Sequence, residues 1–411
     1  MSRPPLGSTL DIFGLSIQWY SLLIIIGIVI GIFLALREEK RLKLPKDTIV
    51  NFALLAIPMG VIGARLYYVI FTWSRYADDF WEIFRIWNGG LAIYGGILGA
   101  ILAALIIVQV SRGKVPFWSL LDACVPSLVI AQSIGRWGNY ANMEAYGDRI
   151  TNAAAQFFPI GVEIPIVTGT GVHWYWHMAT FFYESVWCLV IFIVLMAYRK
   201  RMKKPGDMLW WYVLLYGAGR TVIEGLRTDS LMINVAAAQV RVSQVLSALA
   251  CVAVIIMFFL RVRKVRKKLH LADYLAWGAM GLGIACTFVG EFERNAYQML
   301  FTLAQILMAG LLVIDVVTFI HYMKHSRRLR AQSIWMLIGA GLCLLLLLTG
   351  IGRLGESNGA FVAMRQVVAM LHVVLAGAWF YLRIPVPRPH PVQGTVKQMA
   401  EPEEVEHATT A

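Results

Sequence analysis

The chain has 411 residues, of which 59% are hydrophobic and 15% are charged, and its mean hydropathy is +0.65. This composition excludes a soluble multidomain enzyme and is typical of an integral membrane protein. The formal net charge of +13 does not indicate a nucleic-acid partner, because the lysines and arginines stand in short clusters between apolar runs, as they do in cytoplasmic membrane loops.

Apolar runs of about twenty residues recur along the chain, and each predicts a transmembrane helix. The first seven occupy residues 17–36, 50–71, 89–111, 118–134, 179–198, 208–226 and 240–260. Clusters of lysine and arginine follow the first, third, fifth and seventh runs. By the positive-inside rule, this alternation predicts an N-terminus outside the cell and a cytoplasmic loop after the seventh helix.

The stretch that follows the fourth run, residues 135–147, has the sequence GRWGNYANMEAYG. Its arginine and glutamate at membrane depth require partners or a wet cavity, so they indicate a functional site. Its glycines allow the backbone to turn or to approach a ligand closely. We therefore expect a helix end that opens into a polar cavity on the outer side of the membrane.

Polar side chains in other runs have both a functional and a structural interpretation. Tyr20 fits an interfacial aromatic belt, and Arg65 is close enough to the outer end of its helix to snorkel towards water. Tyr94 lies among glycines in GGLAIYGGILG, which favours a site role modestly over packing. Arg220 and Glu224 are four residues apart and share a helix face, where they form either an ion pair or part of a site.

Residues 148–176 lack a long apolar run and alternate glycine, threonine, proline and valine. This pattern predicts a small extracytoplasmic head domain with strands.

The cysteines show neither a CxxC pair nor a spacing typical of a metal site. We interpret them as small packing residues and expect no metal: Cys124, Cys188, Cys251, Cys286 and Cys343.

The motifs WNGGLAIYGG, GRWGNYANMEAYG, FYES, YGAGRTVIEGLR and SQVLS, in this order, resemble those of the prolipoprotein diacylglyceryl transferase family. The resemblance covers about residues 18–260. It implies an all-α polytopic membrane enzyme with a seven-helix core, a small extracytoplasmic head and a cavity open to the outer leaflet of a bacterial plasma membrane. Members of this family move the diacylglyceryl group of phosphatidylglycerol onto the lipobox cysteine of a prolipoprotein and release glycerol 1-phosphate, without a cofactor.

The resemblance also implies roles for individual residues. Arg136 and Arg220 match arginines that bind the phosphate of phosphatidylglycerol, and a bidentate guanidinium suits that group. Asn139 and Glu144 match signature positions that hold the glycerol hydroxyls and orient the arginines. The expected catalytic residues are Tyr20, Tyr94, Arg136, Arg220 and Glu224, and the expected structural glycines are Gly95, Gly96, Gly138 and Gly147.

The chain departs from the family pattern at two places. Tyr94 stands where many members have a histidine, and a tyrosine with a pKa near ~10 is a poor general base at neutral pH. Either Tyr94 only positions lipid or thiol, or the base lies elsewhere, with Glu144 and the substrate phosphate as candidates. Met178 and Ala179 replace a His-Pro pair. We assign no role to the adjacent His177 and expect it at the surface.

Beyond residue 260 the resemblance ends, and four further runs predict helices at residues 271–290, 299–322, 334–350 and 361–382. We expect a catalytic core over residues 1–268, with the head at 139–178, additional helices over 269–384, and a disordered cytoplasmic tail over 385–411. The additional helices carry no catalytic pattern, so we interpret them as a packing or partner module.

Two alternatives use the same charged cavity differently. A transporter or lipid-binding protein would need no chemistry, but its typical internal repeat is absent from the sequence. An inactive paralogue, or one with another thiol acceptor, is supported by Tyr94 alone.

Overall fold

The computed structural model describes residues 9–12, 15–77, 79–86, 89–169, 171–235, 238–293, 298–325, 330–351 and 359–385. The helices within this part of the chain are α1 (Trp19–Leu42), α2 (Thr48–Phe71), α3 (Ile93–Val110), α4 (Phe117–Ala141), α5 (Thr180–Tyr198), α6 (Asp207–Leu226), α7 (Val242–Arg263), α8 (Leu271–Glu293), α9 (Gln298–His325), α10 (Arg330–Ile351) and α11 (Gly359–Arg383). Nine of these described helices are long and apolar enough to cross a membrane. The predicted all-α polytopic membrane fold is confirmed, whereas residues 386–411 of the predicted tail lie outside the described residues.

Three antiparallel hairpins lead directly into helices. Their strands are β1 (Thr9–Ile12) and β2 (Leu15–Gln18) before α1, β3 (Gly161–Thr168) and β4 (Gly171–Met178) before α5, and β5 (Met232–Val235) and β6 (Ala238–Arg241) before α7. Because successive membrane helices alternate in direction, the odd-numbered helices start on the same side of the membrane on which α4 and α6 end. The strands expected in the head are those of the β3–β4 hairpin.

Small residues let the first helices approach closely. α1 lies against α4, where a Cβ at Gly27 would be 3.3 Å from Cα of Ala131. α2 lies against α3, where a Cβ at Gly95 would be 2.2 Å from the carbonyl oxygen of Gly63. Gly96 faces α2 less tightly, 3.6 Å from the carbonyl oxygen of Gly60. Gly95 and Gly96 therefore serve the α2–α3 packing.

Arg65 is a buried anchor and does not snorkel to water, contrary to the expectation from sequence. Its guanidinium donates to the carbonyl oxygens of Ile83 at 2.9 Å and Gly89 at 2.6 Å. The connection between α2 and α3 folds back over the arginine and supplies these acceptors, so its buried N–H donors have protein partners.

Helices α8–α11 pack on the first seven helices through α11, which lies against α6 and α7. The ring of Tyr381 lies 5.3 Å from that of Trp211 and 5.1 Å from that of Phe258. Its hydroxyl donates to Oδ2 of Asp207 at 2.8 Å. Lys203, in the loop before α6, donates from Nζ to carbonyl oxygens in and just after the last turn of α11, and burial there lowers its pKa. A cation at a helix C-terminus is favoured by the helix dipole.

Candidate active site

The stretch 135–147 is more helical than its apolar pattern predicts. α4 continues to Ala141, seven residues beyond the predicted end at residue 134, so Arg136 and Asn139 stand on its last two turns. The helix extends because its polar side chains find protein partners, which an apolar run cannot reveal. Gly138 is buried against α1, where a Cβ would lie 2.5 Å from Cδ2 of Tyr20. This contact places Tyr20 beside the stretch.

The turn after α4 is made by residues other than glycine. Met143 and Ala145 both have φ of 55°, whereas the glycines of the stretch do not have positive φ. The left-handed backbone conformations of the turn are therefore adopted by Met143 and Ala145 and not by its glycines. Asn139 and Asn142 each donate to Oε1 of Glu144, at 3.0 and 3.2 Å, and hold the unusual backbone conformation in place.

Gly147 has a packing role at the end of the same stretch. A Cβ there would lie 2.7 Å from the carbonyl oxygen of Leu226 and 2.8 Å from Cβ of Met178. Its backbone also forms an isolated antiparallel bridge with Arg227. A side chain would push the stretch away from α6.

A single carboxylate joins the arginines predicted to form the site. Glu184 of α5 lies 2.7 Å from Arg136 through Oε1 and 3.0 Å from Arg220 through Oε2. Glu224, one turn beyond Arg220 on α6, places Oε2 2.5 Å from its Nη2. The ends of α4 and α6 and the start of α5 thus bring four charges together. Glu184 is 3% exposed through its side chain, while Arg136 and Arg220 are 23% and 14% exposed.

Glu184 has no role in the sequence-based assignment, although it is the centre of this network. Tyr216 also donates to its Oε1, at 3.0 Å, so both carboxylate oxygens are occupied. The signal was present in the FYES motif, where an acid stands in an otherwise apolar run. Its partners are 36 and 48 positions away, and only the packed helices reveal them.

Tyr94 lies apart from this network in the described contacts. It is 47% exposed at the start of α3, and its ring centroid is 6.2 Å from that of Tyr67. The structure therefore brings together Arg136, Arg220, Glu224, Asn139 and Glu144, with Tyr20 packed beside them, but it does not bring Tyr94 into contact with the arginines.

A second ion pair lies just beyond α6. Arg227 donates to Asp229 through Nε at 2.9 Å and Nη2 at 2.7 Å. Burial raises the pKa of Asp229, but the two hydrogen bonds from the guanidinium outweigh burial and hold that pKa below its ordinary range. The pair therefore stays ionised at neutral pH and keeps the segment after α6 ordered beside Gly147.

His177 is buried, so the expectation that it lies at the surface is wrong. Its Nδ1 is 2.9 Å from the carbonyl oxygen of Gly147, and its ring meets that of Tyr146 edge-on at 4.8 Å. The histidine thus packs the head against the end of the 135–147 stretch. This is a structural role that its position in β4 did not indicate.

The arrangement is suited to binding an anion that bears further polar groups. Each guanidinium has five N–H donors, more than its described carboxylate and amide contacts use. The two arginines and two glutamates balance in charge, which permits them to be buried together. The guanidinium groups are already oriented before an anion binds. The amide of Asn139 and the carboxylate of Glu144 lie close by and can form hydrogen bonds with hydroxyl groups of the same ligand.

Comparison with known proteins gives concordant matches for this part of the chain. A family model described as prolipoprotein diacylglyceryl transferase matches residues 8–260. The chain is 42% identical to a phosphatidylglycerol–prolipoprotein diacylglyceryl transferase of Listeria welshimeri over 261 residues, which is 63% of this chain and 91% of the relative. It is 40% identical to the protein of the same name from Bacillus cereus strain G9842 over 259 residues, which is 62% of this chain and 90% of the relative. The family match ends before α8.

Proposed function

The chain belongs to the prolipoprotein diacylglyceryl transferase family, and on that premise we propose that it transfers the diacylglyceryl group of phosphatidylglycerol to the thiol of the lipobox cysteine of prolipoproteins. The other product is sn-glycerol 1-phosphate, and the reaction is the first step of bacterial lipoprotein maturation. The N-terminus lies outside the cell, the C-terminus lies in the cytoplasm, and the site faces the outer leaflet. The alternation of basic loops supports this orientation.

The observation that carries the proposal is that Glu184 forms ion pairs with both Arg136 and Arg220. In the reaction the cysteine sulfur attacks the glyceryl carbon, and the bond from that carbon to the phosphate oxygen breaks. The electron pair of this bond leaves with the phosphate. Two pre-oriented guanidinium groups stabilise the charge that develops there, which is often the largest contribution to catalysis.

Glu184 acts as a positioning residue in this scheme. Its Oε1 forms an ion pair with Arg136 and accepts from the hydroxyl of Tyr216, while its Oε2 accepts from Arg220. Both oxygens are therefore engaged in directing the guanidinium groups. Glu224 forms an ion pair with Nη2 of Arg220 and so places a second carboxylate beside that guanidinium. Preformed ion pairs of this kind reduce the reorganisation needed when the phosphate enters.

The glycerol head of the lipid is assigned to Asn139 and Glu144. Both are polar, they are hydrogen-bonded to each other at 3.0 Å, and Asn139 accepts from Arg136 at 3.4 Å. Hydroxyl groups of the lipid head would join this chain of donors and acceptors. Tyr20, packed on Gly138, closes the α1 side of the site.

The thiol proton has to leave before or during the attack, because the thiolate is the nucleophile. Tyr94 is a poor acceptor, since it is half exposed beside Tyr67 and outside the arginine network. We assign the proton to Glu144 or to the substrate phosphate, and Tyr94 to positioning of lipid or thiol. None of the enzyme's own cysteines takes part.

The proposal is tested with purified full-length protein in detergent, phosphatidylglycerol and a lipobox peptide with one cysteine, analysed by mass spectrometry. We expect the peptide to gain the mass of one diacylglyceryl group with the wild type and not with Arg136→Ala. Arg112→Ala, in the exposed loop before α4, is the matched control and should retain activity. Arg136-dependent binding of phosphatidylglycerol without any mass gain would instead identify a lipid-binding paralogue.

A further inference from the structure

Three side chains with metal-binding atoms meet inside the helices that follow the family-matched segment. They are Asp315 of α9, Cys343 of α10 and His372 of α11, each at most 1% exposed. Their ligand atoms lie within 4.8 Å of one another. Nε2 of His372 is 2.8 Å from Oδ2 of Asp315 and 4.0 Å from Sγ of Cys343. We propose that these residues bind a divalent transition-metal ion of the Zn²⁺ class.

The histidine is oriented as a metal ligand requires. Nδ1 of His372 lies 2.7 Å from the carbonyl oxygen of Val368, one turn earlier on α11. A proton on Nδ1 satisfies that carbonyl and leaves the lone pair of Nε2 directed at the cluster. Histidine ligands commonly donate their other ring N–H to a backbone carbonyl in this way, which fixes both the tautomer and the direction of the ring.

The separations fit a small ion. Around a tetrahedral Zn²⁺, ordinary bond lengths place nitrogen and oxygen ligands about 3.3 Å apart and nitrogen and sulfur ligands about 3.6 Å apart. The observed 2.8 and 4.0 Å differ from these values by about half an ångström, within reach of side-chain rotation.

A fourth ligand has a place beside the cluster. A cavity of ≈ 20 Å³ is lined by Asp315, Thr318 and His372 among apolar residues, which is room for about one water molecule. Oγ1 of Thr318 and Oδ1 of Asp315 are buried without a hydrogen-bond partner among the described residues. A metal ion with a bound water, or with the hydroxyl itself, would satisfy these buried groups.

The charges balance when a dication is bound. One carboxylate and one thiolate neutralise a divalent ion, so the complete site is neutral within the low dielectric of the membrane. Binding releases the thiol proton and, where the imidazole and carboxylate hold a shared proton, that proton too. The metal-free cluster would be a thiol beside an imidazolium–carboxylate pair, which is the competing description.

The ligand types select the class of ion. Sulfur and imidazole nitrogen suit Zn²⁺ and Co²⁺, whereas Mg²⁺ and Ca²⁺ prefer oxygen ligands alone. The interpretation of Cys343 as a packing residue did not consider this cluster, because the three side chains come from three helices and Asp315 and His372 are 57 positions apart. An ion there would cross-link α9, α10 and α11, independently of the transferase site.

The test uses the full-length protein in detergent, stripped with a chelator, equilibrated with Zn²⁺ and analysed by elemental mass spectrometry. We expect about one ion per wild-type chain, and loss of that ion in Cys343→Ala and His372→Ala. Cys286→Ala is the matched control, since Cys286 is also buried in this helix group but lies outside the cluster. It should keep the ion.

Replacement of Zn²⁺ by Co²⁺ gives a second readout. We expect a thiolate-to-cobalt absorption band and the visible bands of tetrahedral Co²⁺ in the wild type and in Cys286→Ala, but not in Cys343→Ala. Equal metal content in the wild type and Cys343→Ala would show adventitious binding only and would overturn the proposal. If the cluster variants do not fold, the wild type alone decides, because absence of the thiolate band would favour the imidazolium–carboxylate pair.

Discussion

Nη2 of Arg136 lies 2.7 Å from Oε1 of Glu184, and this contact joins the last turns of α4 to the first turns of α5. The same carboxylate uses its other oxygen for Arg220 on α6. Three helices that bring charged side chains into the membrane are therefore held in register by one buried group. This geometry determines which substitutions disturb the site and which leave it intact.

Substitution of Glu184 by glutamine keeps the shape of the side chain and removes its charge. Because the arginines lose the carboxylate that orients them towards the leaving phosphate, their stabilisation of the transition state weakens, and we expect kcat for diacylglyceryl transfer to fall by about 100-fold. The KM for phosphatidylglycerol should not rise, because the two arginines gain net positive charge. Steady-state kinetics at varied lipid concentration measure both quantities.

Asp79→Asn is the matched control for Glu184→Gln. Asp79 pairs with Arg85 at 3.2 Å in an exposed loop, and its side chain is half exposed. Exposed ion pairs contribute little to folding stability, and this pair lies outside the arginine network, so kcat should stay within about twofold of the wild type. A Glu184→Gln enzyme with normal kcat and a raised KM would contradict the positioning role.

Gly138→Ala and Gly135→Ala differ sharply in their expected effects although both lie in α4. At Gly138 the new Cβ meets the ring of Tyr20 at 2.5 Å and its Cα at 3.3 Å, whereas at Gly135 nothing lies within 4 Å. Overpacking costs about 1–3 kcal/mol, so Gly138→Ala should lower both the melting temperature and transferase activity. Gly135→Ala should leave them unchanged or raise stability, by up to about 1 kcal/mol through helix propensity. Equal behaviour of the two variants would show that the Tyr20 contact is not needed.

Tyr94→Phe tests whether the phenol moves a proton. Because Tyr94 is half exposed and contacts Tyr67 rather than the arginines, we expect this variant to retain activity within about twofold. If Tyr94→Phe instead lost most of its activity and Tyr94→His retained it, position 94 would be identified as the site of the general base.

Tyr216→Phe removes a hydrogen-bond donor to Glu184, and the loss of such a hydrogen bond should reduce kcat/KM by about tenfold.

The sequence carried enough information to predict the membrane fold, and it singled out two arginines that the structure joins through Glu184. Apolar runs locate helices well, and Arg136 and Arg220 stand out because charges are rare at membrane depth. Contacts between helices were not predictable in the same way. Glu184 looked like one acid among apolar residues, because its partners are distant in the chain.

Burial of individual polar residues was also beyond the reach of pattern analysis. Arg65 finds carbonyl acceptors in a loop that folds back over it, and His177 packs under Gly147. Both contacts depend on the tertiary path of irregular backbone, which has no periodic signature. For the same reason α4 was predicted to end too early, since its last turns are stabilised by partners on other helices.

Tyr381→Phe tests the attachment of α11 to the core. The hydroxyl donates to Oδ2 of the buried Asp207, and it accepts from the backbone N–H of Lys203 at 3.0 Å. Removal of the hydroxyl leaves the buried carboxylate of Asp207 with fewer hydrogen-bond donors. This should lower the free energy of unfolding by about 1–3 kcal/mol and with it the melting temperature in detergent. Tyr274→Phe, at an exposed position on α8, is the control and should melt like the wild type. Transferase activity below the melting temperature should be normal in both variants.

Truncation after Lys268 tests whether α8–α11 form a packing module. Removal of α11 exposes the faces of α6 and α7 that it covers, including Phe258, which is fully buried in the whole chain. Each large apolar side chain uncovered from protein contact weakens packing, so we expect a lower melting temperature. The arginine network lies on α4, α5 and α6, so activity measured well below that temperature should persist. Circular dichroism establishes that the truncated protein is folded, and the lipobox peptide assay measures its activity. A folded but inactive truncated protein would show that these helices contribute directly to transfer.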